Sequence, residues 1–414
     1  MTRHLRSTFA SLLSSRNFRR YFVGQTVSLA GTWMQLIALG WLVLQLSGSG
    51  TAVGLVTAVQ FLPVLLLGPL GGVVVDRFDN RKILLVTQLL FAAQAFALGV
   101  LTATGTVQLW MVFVLAAAFG LVTVVDNPAR QTFILELVGP KHLTNAITLN
   151  SVNINVARVI GPAIAATLIA LFGIAPSFFV NAASYFALIA ALLLIKVGDL
   201  RRAERQPRAP GQLREGLRYV WGAAELRVPL LMMAIIGTLA YEFQVILPIA
   251  AKFTFGGTAG TYGMLTAAMG VGAVIGGLAT ASRNRHGLDA LVRHSLVFGG
   301  AILAVAISPT LPVALLSLVG VGAASISFLA SANTTMQLGA APAFRGRVMS
   351  LWTVAFLGTT PVGGPIIGWI GQNLGARWGL ATGATACFAA AGYGWLHRAE
   401  VARATAVGQA AAVG

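Results

Sequence analysis

The chain has 414 residues, of which 57% are hydrophobic and only 9% charged, and it carries a net charge of +17. A soluble domain has about a quarter charged residues, so this composition excludes an ordinary water-facing protein and fits one whose solvent is lipid. A single cysteine, Cys387, rules out an intrachain disulfide or a cysteine metal site, and it reads as a small buried apolar side chain. The histidines (His4, His142, His286, His294, His397) are scattered without metal-ligand spacing, so no metal and no cofactor is expected. Arg3, Arg6, Arg16, Arg19 and Arg20 surround a weak apolar stretch with no cleavage-like site, so no signal peptide is expected and the first strong apolar run should remain as a helix.

A membrane-crossing helix needs roughly 20 mostly apolar residues. Apolar runs predict about twelve of them, in chain order Tyr21–Leu46, Thr51–Val75, Ile83–Ala103, Leu109–Val125, Ala146–Phe172, Pro176–Val197, Val228–Ala251, Thr261–Ala281, Ser295–Ile307, Leu311–Ala332, Val348–Ile370 and Trp378–His397. Gly48-Ser49-Gly50, Gly105, Gly173 and Gly256-Gly257 mark tight turns between them. Asp126-Asn127-Pro128 reads as the end of the fourth span. Asn127 would then cap a short interfacial helix with Phe133, Ile134 and Leu137 on its apolar face, stopped by Gly139-Pro140.

Threading the spans with the N-terminus inside sorts the basic residues. Nearly all 28 fall on the cytoplasmic side, including Arg77, Arg81, Lys82, Arg130, Lys141, Arg283, Arg285, Arg345 and Arg347; the outer side receives Lys252 and Arg377, and Arg158 lies inside the fifth span. Cytoplasmic loops collect Lys and Arg, so both termini are expected in the cytoplasm of a cell-membrane protein, and the charge is a topology signal rather than a nucleic-acid footprint.

The polar segment from Asp199 to Glu225, with Arg201, Arg202, Arg205, Arg208, Arg214 and Arg218 among Pro207, Pro210 and Gly211, reads as a central linker, partly helical around Leu213 to Val220. It divides the chain into a six-helix half at 1–198, the linker at 199–225, a second six-helix half at 226–400 and a tail at 401–414. An internal repeat agrees. Val53-Gly54-Leu55-Val56-Thr57-Ala58 resembles Tyr262-Gly263-Met264-Leu265-Thr266-Ala267, 209 residues on, and Gly161-Pro162-Ala163-Ile164 resembles Gly364-Pro365-Ile366-Ile367, 203 residues on. Duplicated halves are an architecture of alternating-access transporters.

Gly72-Val73-Val74-Val75-Asp76-Arg77-Phe78-Asp79-Asn80-Arg81-Lys82 joins the second and third spans. This G-x-x-x-D-R-x-x-x-R-K run resembles the signature loop of the major facilitator superfamily, which implies an all-α fold of twelve spans in two halves. Gly72 would let another helix approach, and Asp76 would meet the positive N-terminus of the eleventh span and lock a cytoplasmic gate. By the same offset the second half has Ala281, Arg285 and His286 and lacks the pattern. Gly24-Gln25-Thr26-Val27-Ser28, Gly31-Thr32-Trp33-Met34-Gln35, Pro128-Ala129-Arg130-Gln131, Glu136-Leu137-Val138, Asn145-Ala146 and Arg158-Val159-Ile160-Gly161-Pro162 together resemble the enterobactin-exporter-like permeases. That resemblance implies proton-driven export of siderophores, drugs or other small molecules.

Ionisable residues within spans are the candidates for mechanism. Glu242 lies well inside the seventh span, in Ala240-Tyr241-Glu242-Phe243-Gln244. A charged carboxylate at the bilayer centre costs about 2.5–3.5 kcal/mol, and protonation removes that cost, so Glu242 is either a proton carrier or a cavity-lining polar residue. Arg158 shares a face with Ser151 and Asn155, ahead of Pro162; it either braces the first half or meets an anionic group, with Asp126 and Glu242 as possible partners. Gln25, Ser28, Thr32 and Gln35 form a polar stripe on the first span, bordered by Trp33, which could stack on an aromatic substrate; the stripe either lines a substrate cavity with Asn155, Tyr241 and Gln244 or joins helices.

The leading expectation is a proton-coupled exporter of small molecules, acting as a monomer in the lipid bilayer. An uptake symporter of the same fold and a non-transporting scaffold or sensor are the alternatives. No G-x-x-x-x-G-K-[ST] loop is present for ATP, and no convergent set of in-span His, Asp or Glu suggests an enzyme.

Overall fold

The computed structural model describes residues 10–201, 212–283, 287–341 and 344–403. The N-terminal His4, Arg3 and Arg6, the linker's Arg202, Arg205, Pro207, Arg208, Pro210 and Gly211, the loop residues Arg285 and His286, and the tail beyond 403 lie outside the described residues. Among the described residues there is helix and no strand. After a short helix at Ala10–Ser14, the first six spans are α1 (Arg16–Ser47), α2 (Gly50–Arg77), α3 (Asn80–Ala103), α4 (Leu109–Val138), α5 (Leu143–Phe172) and α6 (Ala175–Leu193). A linker helix runs over Gln212–Gly222. The later spans are α7a (Ala224–Leu239) with α7b (Phe243–Ile249), α8 (Ala259–Arg283), α9 (Leu288–Ala306), α10 (Leu311–Gly339), α11a (Arg345–Leu357) with α11b (Thr360–Asn373), and α12 (Ala376–Leu396).

Eleven of these are long and apolar enough to cross a membrane. The exception is α12. Its 21 residues reach about 31 Å, but its Gly, Thr, Trp and Tyr residues and Arg377 lower its hydropathy. The helices start and stop where local chemistry demands. The Ser15 hydroxyl accepts from the Phe18 N–H at 3.1 Å to cap α1, and Gly48, at φ 63°, closes it in the left-handed conformation that glycine adopts without a Cβ penalty.

The chain forms two compact units. The first takes Met1–Gly48, Val59–Gln206 and Thr258–Ala267; the second takes Ser49–Ala58, Pro207–Gly257 and Ala268–Gly414, in both cases over the described residues. Each is built by the same packing rule. In the first, α1 packs on α5 and α6, and α3 packs on α4 and α6; in the second, α7 packs on α11 and α12, and α9 packs on α10 and α12. Close helix crossings repeat as well. A Cβ at Gly120 of α4 would lie 2.2 Å from the Gln60 carbonyl oxygen of α2, and one at Gly322 of α10 would lie 1.9 Å from that of Met269 of α8. Gln60 and Met269 are 209 residues apart, the separation of the repeated sequence motif. In lipid such small-residue contacts, rather than water exclusion, bring helices together.

Three helices depart from the sequence expectation. The fourth span does not end at Asp126-Asn127-Pro128, because α4 runs unbroken to Val138 with Pro128 inside it. Proline has no N–H for the carbonyl four residues back, here Val124. Gly71 of α2 packs directly on that carbonyl: a Cβ there would sit 1.9 Å from its oxygen. The neighbouring helix thus tolerates the proline, and the expected short strut is the last part of α4. The second departure is that α7 and α11 are discontinuous, interrupted at residues 240–242 and 358–359.

Candidate functional site

In the first unit the α1 stripe is drawn into hydrogen bonds between helices. The Gln25 amide donates to Asn150 Oδ1 at 2.9 Å, Ser28 Oγ donates to Gln88 Oε1 at 3.4 Å, and the Gln35 amide donates to Gln94 Oε1 at 3.0 Å. Asn181 Nδ2 donates to Gln35 Oε1 at 2.7 Å, and the hydroxyls of Thr32 and Tyr185 are 3.2 Å apart. Gln25, Ser28 and Gln35 are buried, whereas Thr32 and Trp33 are half-buried. A cavity of about 10 Å³ lies beside Thr32, Gln35, Gln60 and Gln94. That is room for about one water, not a substrate.

Gln88 carries the stripe onward to Asp126. The buried Asp126 carboxylate accepts from Gln88 Nε2 at 2.9 Å and from Thr87 Oγ1 at 2.7 Å, and it forms an ion pair with Arg130 one turn along α4. Asp126, one of the two carboxylates open to Arg158 from sequence, is thus an ion-pair partner of Arg130. Thr87, Gln88 and Arg130 were not among the expected site residues. Their signals were present: two adjacent polar residues in an apolar span, and an i, i+4 acid–base pair that the expected break at Pro128 concealed.

Arg158 on α5 places its guanidinium 4.7 Å from the centroid of the Trp33 ring on α1. The two helices meet closely there, since a Cβ at Gly161 would come within 2.6 Å of both the Ala30 carbonyl oxygen and Trp33 Cβ. The Trp33 face expected to receive an aromatic substrate carries a cation of the protein itself. Asn155 donates from Nδ2 to the Ser151 carbonyl at 2.9 Å.

Around the signature loop, Asp79 caps α3, accepting from the Lys82 N–H at 3.1 Å. Arg81 donates from Nε to the Leu192 carbonyl at 2.7 Å and from Nη2 to the Leu193 carbonyl at 3.3 Å, so its charge sits on the negative end of α6. Arg20 joins it on the Leu194 carbonyl. Asn80 donates to Glu136 Oε1 at 2.6 Å. Asp76 is half-buried in the last turn of α2, Gly72 is buried, and Arg77 and Lys82 are exposed. Gly71, the neighbour of Gly72, makes a close helix approach, on the Val124 carbonyl of α4.

In the second unit, Glu242 is the last residue of the interruption of α7 and the N-cap of α7b. It is 3% exposed, and its Oε1 is buried with no hydrogen-bond partner among the described residues. The Thr360 side chain, at the start of α11b, lies within reach of the carboxyl. A Cβ at Gly363 would be 3.0 Å from Oε1, and one at Gly364 would be 3.6 Å from Oε2. The broken helices touch through glycine: a Cβ at Gly363 would lie 1.7 Å from the Thr238 carbonyl oxygen, and one at Gly237 would lie 2.5 Å from that of Ala355. Tyr241 donates its hydroxyl to the Ser325 carbonyl at 2.8 Å, with its ring between those of Phe298 and Phe356; Gln244 is half-buried. Discontinuous helices that meet at mid-span around an ionisable group are a recurring arrangement in secondary transporters.

The family model described as transmembrane secretion effector matches residues 6–411. The chain belongs to this family of major facilitators. Among curated relatives, this permease is 30% identical over 218 residues to the uncharacterized MFS-type transporter YfiS of Bacillus subtilis, covering 51% of the chain and 50% of that protein. It is 25% identical to the Staphyloferrin A transporter of Staphylococcus aureus, covering 62% of the chain and 65% of the relative. It is 27% identical to the multidrug efflux pump Tap of Mycolicibacterium fortuitum, covering 81% and 84%. The permease thus spans half to about two thirds of the length of the first two relatives. Its fold is that of a bacterial homolog of the human lysosomal transporter Spinster (TM-score 0.71, 15% identity, 94% and 96% covered) and of a POT family transporter in complex with 5-aminolevulinic acid (0.76, 10%, 94% and 97%). It is a multi-pass membrane protein with the major-facilitator fold.

Proposed function

We propose that this permease exports small amphipathic molecules across the cell membrane by alternating access, driven by inward proton flow, with Glu242 as the proton carrier. The observation that carries the reading is the Glu242 carboxyl, buried where two broken helices meet and with one oxygen lacking a hydrogen-bond partner among the described residues. A group so placed is cheap to bury neutral and expensive to bury charged, so loading and unloading a proton changes the energy of the packing around it. Proton entry supplies about 2.3 kcal/mol per 100 mV per charge, enough to drive concentration work. The efflux names among the relatives, Tap and the macrolide efflux protein A of Streptococcus pyogenes, support export over uptake.

In this reading the chain acts as a monomer of two six-helix halves joined by the 199–225 linker, with both termini cytoplasmic. Gly72, Asp76, Arg77, Arg81 and Lys82 form the cytoplasmic gate loop. In the first unit Thr32, Asn155 and Arg158 are the candidate solute contacts and in the second Gln244 is, while Trp33 and Tyr241 are engaged by Arg158 and Ser325, and Gln25, Ser28, Gln35 and Asp126 hold the first half rigid. Everted membrane vesicles test it. With the protein present, an imposed inside-acid gradient should concentrate fluorescent amphiphiles inside the vesicles, and a protonophore should release them. Accumulation indifferent to the protonophore would refute proton drive.

A further inference from the structure

The helix α2 is continuous over Gly50–Arg77, yet its opening residues Ser49–Ala58 pack with the second unit while the rest packs with the first. The helix α8 does the reverse: Thr258–Ala267 packs with the first unit. The two exchanged segments are 209 residues apart, so the exchange belongs to the duplicated plan. Their anchorage differs.

In the second unit, α2 meets α11b through two glycine pairs, Gly50 and Gly54 against Gly364 and Gly368, each pair four residues apart. A Cβ at Gly54 would lie 2.2 Å from the Gly364 carbonyl oxygen, and one at Gly368 would lie 2.6 Å from that of Gly50. The first N–H groups of any helix lack an intrahelical acceptor. Ser49 supplies one, through its hydroxyl to the Ala52 N–H at 3.3 Å. The Gly50 N–H instead donates to Oε1 of Gln372, on α11b, at 2.5 Å. At the mirrored crossing in the first unit, a Cβ at Gly263 would lie 2.5 Å from Ala166 Cβ and 2.9 Å from the Pro162 carbonyl oxygen, so backbone approaches backbone there too, though less closely. There α8 caps itself: the Gly260 N–H donates to the Thr258 hydroxyl at 3.2 Å. The residue 203 positions before Gln372 is Ile169, whose side chain can accept nothing.

We propose that the Gln372–Gly50 hydrogen bond is a latch on the α2–α11b crossing, and that it must break in each transport cycle for this end of the transporter to admit or release solute. The inference stands apart from the proton reading, because it rests on the glycine crossing and one acceptor rather than on Glu242. Gln372 is a positioning residue that acts through the first turn of α2. Its side chain is exposed at the rim, so replacing it leaves no core cavity. The charge of a helix N-terminus gives the test a sign. A carboxylate at 372 would accept from the Gly50 N–H more strongly than an amide, and an apolar side chain would not accept at all.

The experiment uses the full chain in nanodiscs, with Cys387→Ala as background and Val53→Cys as reporter. Val53 lies in the exchanged segment and is 2% exposed, so a water-soluble maleimide reads its uncovering. Gln372→Leu should raise the labelling rate about fivefold and Gln372→Glu should lower it by a similar factor, the shift that one net hydrogen bond produces. Gln372→Asn, one methylene short, should behave like Gln372→Leu. Changes of the same sign for Gln372→Leu and Gln372→Glu, or no change in either, would overturn the latch.

Discussion

The Arg158 guanidinium lies 4.7 Å from the centroid of the Trp33 ring, so the mid-span cation of α5 and the aromatic border of the α1 stripe form one element. Such a contact is worth about 0.5–2 kcal/mol, depending on how far it is desolvated. Trp33→Leu should therefore lower thermal stability in detergent by that amount, while Trp33→Phe should retain part of it. Melting curves of the purified variants, run beside Arg158→Met, check the pairing: the double variant should lose less than the two single losses combined.

The ion pair inside α4 should be the most sensitive polar contact of the first unit. Asp126→Asn leaves the Arg130 cation in a buried site without its carboxylate, and breaking a pair in this way costs about 3–5 kcal/mol. Thermal unfolding should show Asp126→Asn to be far more damaging than Thr87→Val, which removes one of the carboxylate's hydrogen bonds.

Gly71 and Pro128 should be coupled through the Val124 carbonyl. Gly71→Ala drives a Cβ into that oxygen and should destabilise by about 1–3 kcal/mol, as overpacking does. Pro128→Ala restores the N–H that would turn the carbonyl back into its own helix. Gly71→Ala should then be better tolerated in the Pro128→Ala background, a non-additivity measurable by chemical denaturation in mild detergent.

Arg81 closes the end of α6 with two charge-assisted hydrogen bonds. Arg81→Gln should lower stability by about 1.5–3 kcal/mol, the range for bonds to a charged group. Arg77→Gln, at an exposed neighbour in the same loop, should change stability little. A comparison of melting temperatures with transport rates separates the two: Arg81 should lose both, whereas Arg77 should lose rate alone if the loop is a gate.

The fold was legible in the sequence because lipid imposes a simple rule, about 20 apolar residues per crossing, and because the 209-residue repeat marks α2 and α8 directly. What the sequence concealed has local causes. Pro128 looked like a stop, since nothing in one helix reveals that Gly71 of another will meet the carbonyl it frees. The interruption of α7 falls at Ala240-Tyr241-Glu242, with neither glycine nor proline to announce it. The polar stripe was visible as a helical face, but its partners Gln88, Gln94 and Asn181 lie 59 to 146 residues away, and spacing on α1 carries no information about them. Trp33 and Arg158 likewise sit on separate helices, so each was readable as a candidate and the contact between them was not.

Glu242 carries the account. In proteoliposomes, the parent protein should show substrate-driven proton movement together with gradient-driven substrate flux. Glu242→Gln, which keeps the shape of the side chain and cannot cycle a proton, should abolish both while preserving substrate counterflow, the exchange that needs no net proton transfer. Undiminished substrate-driven proton movement in Glu242→Gln would contradict the account.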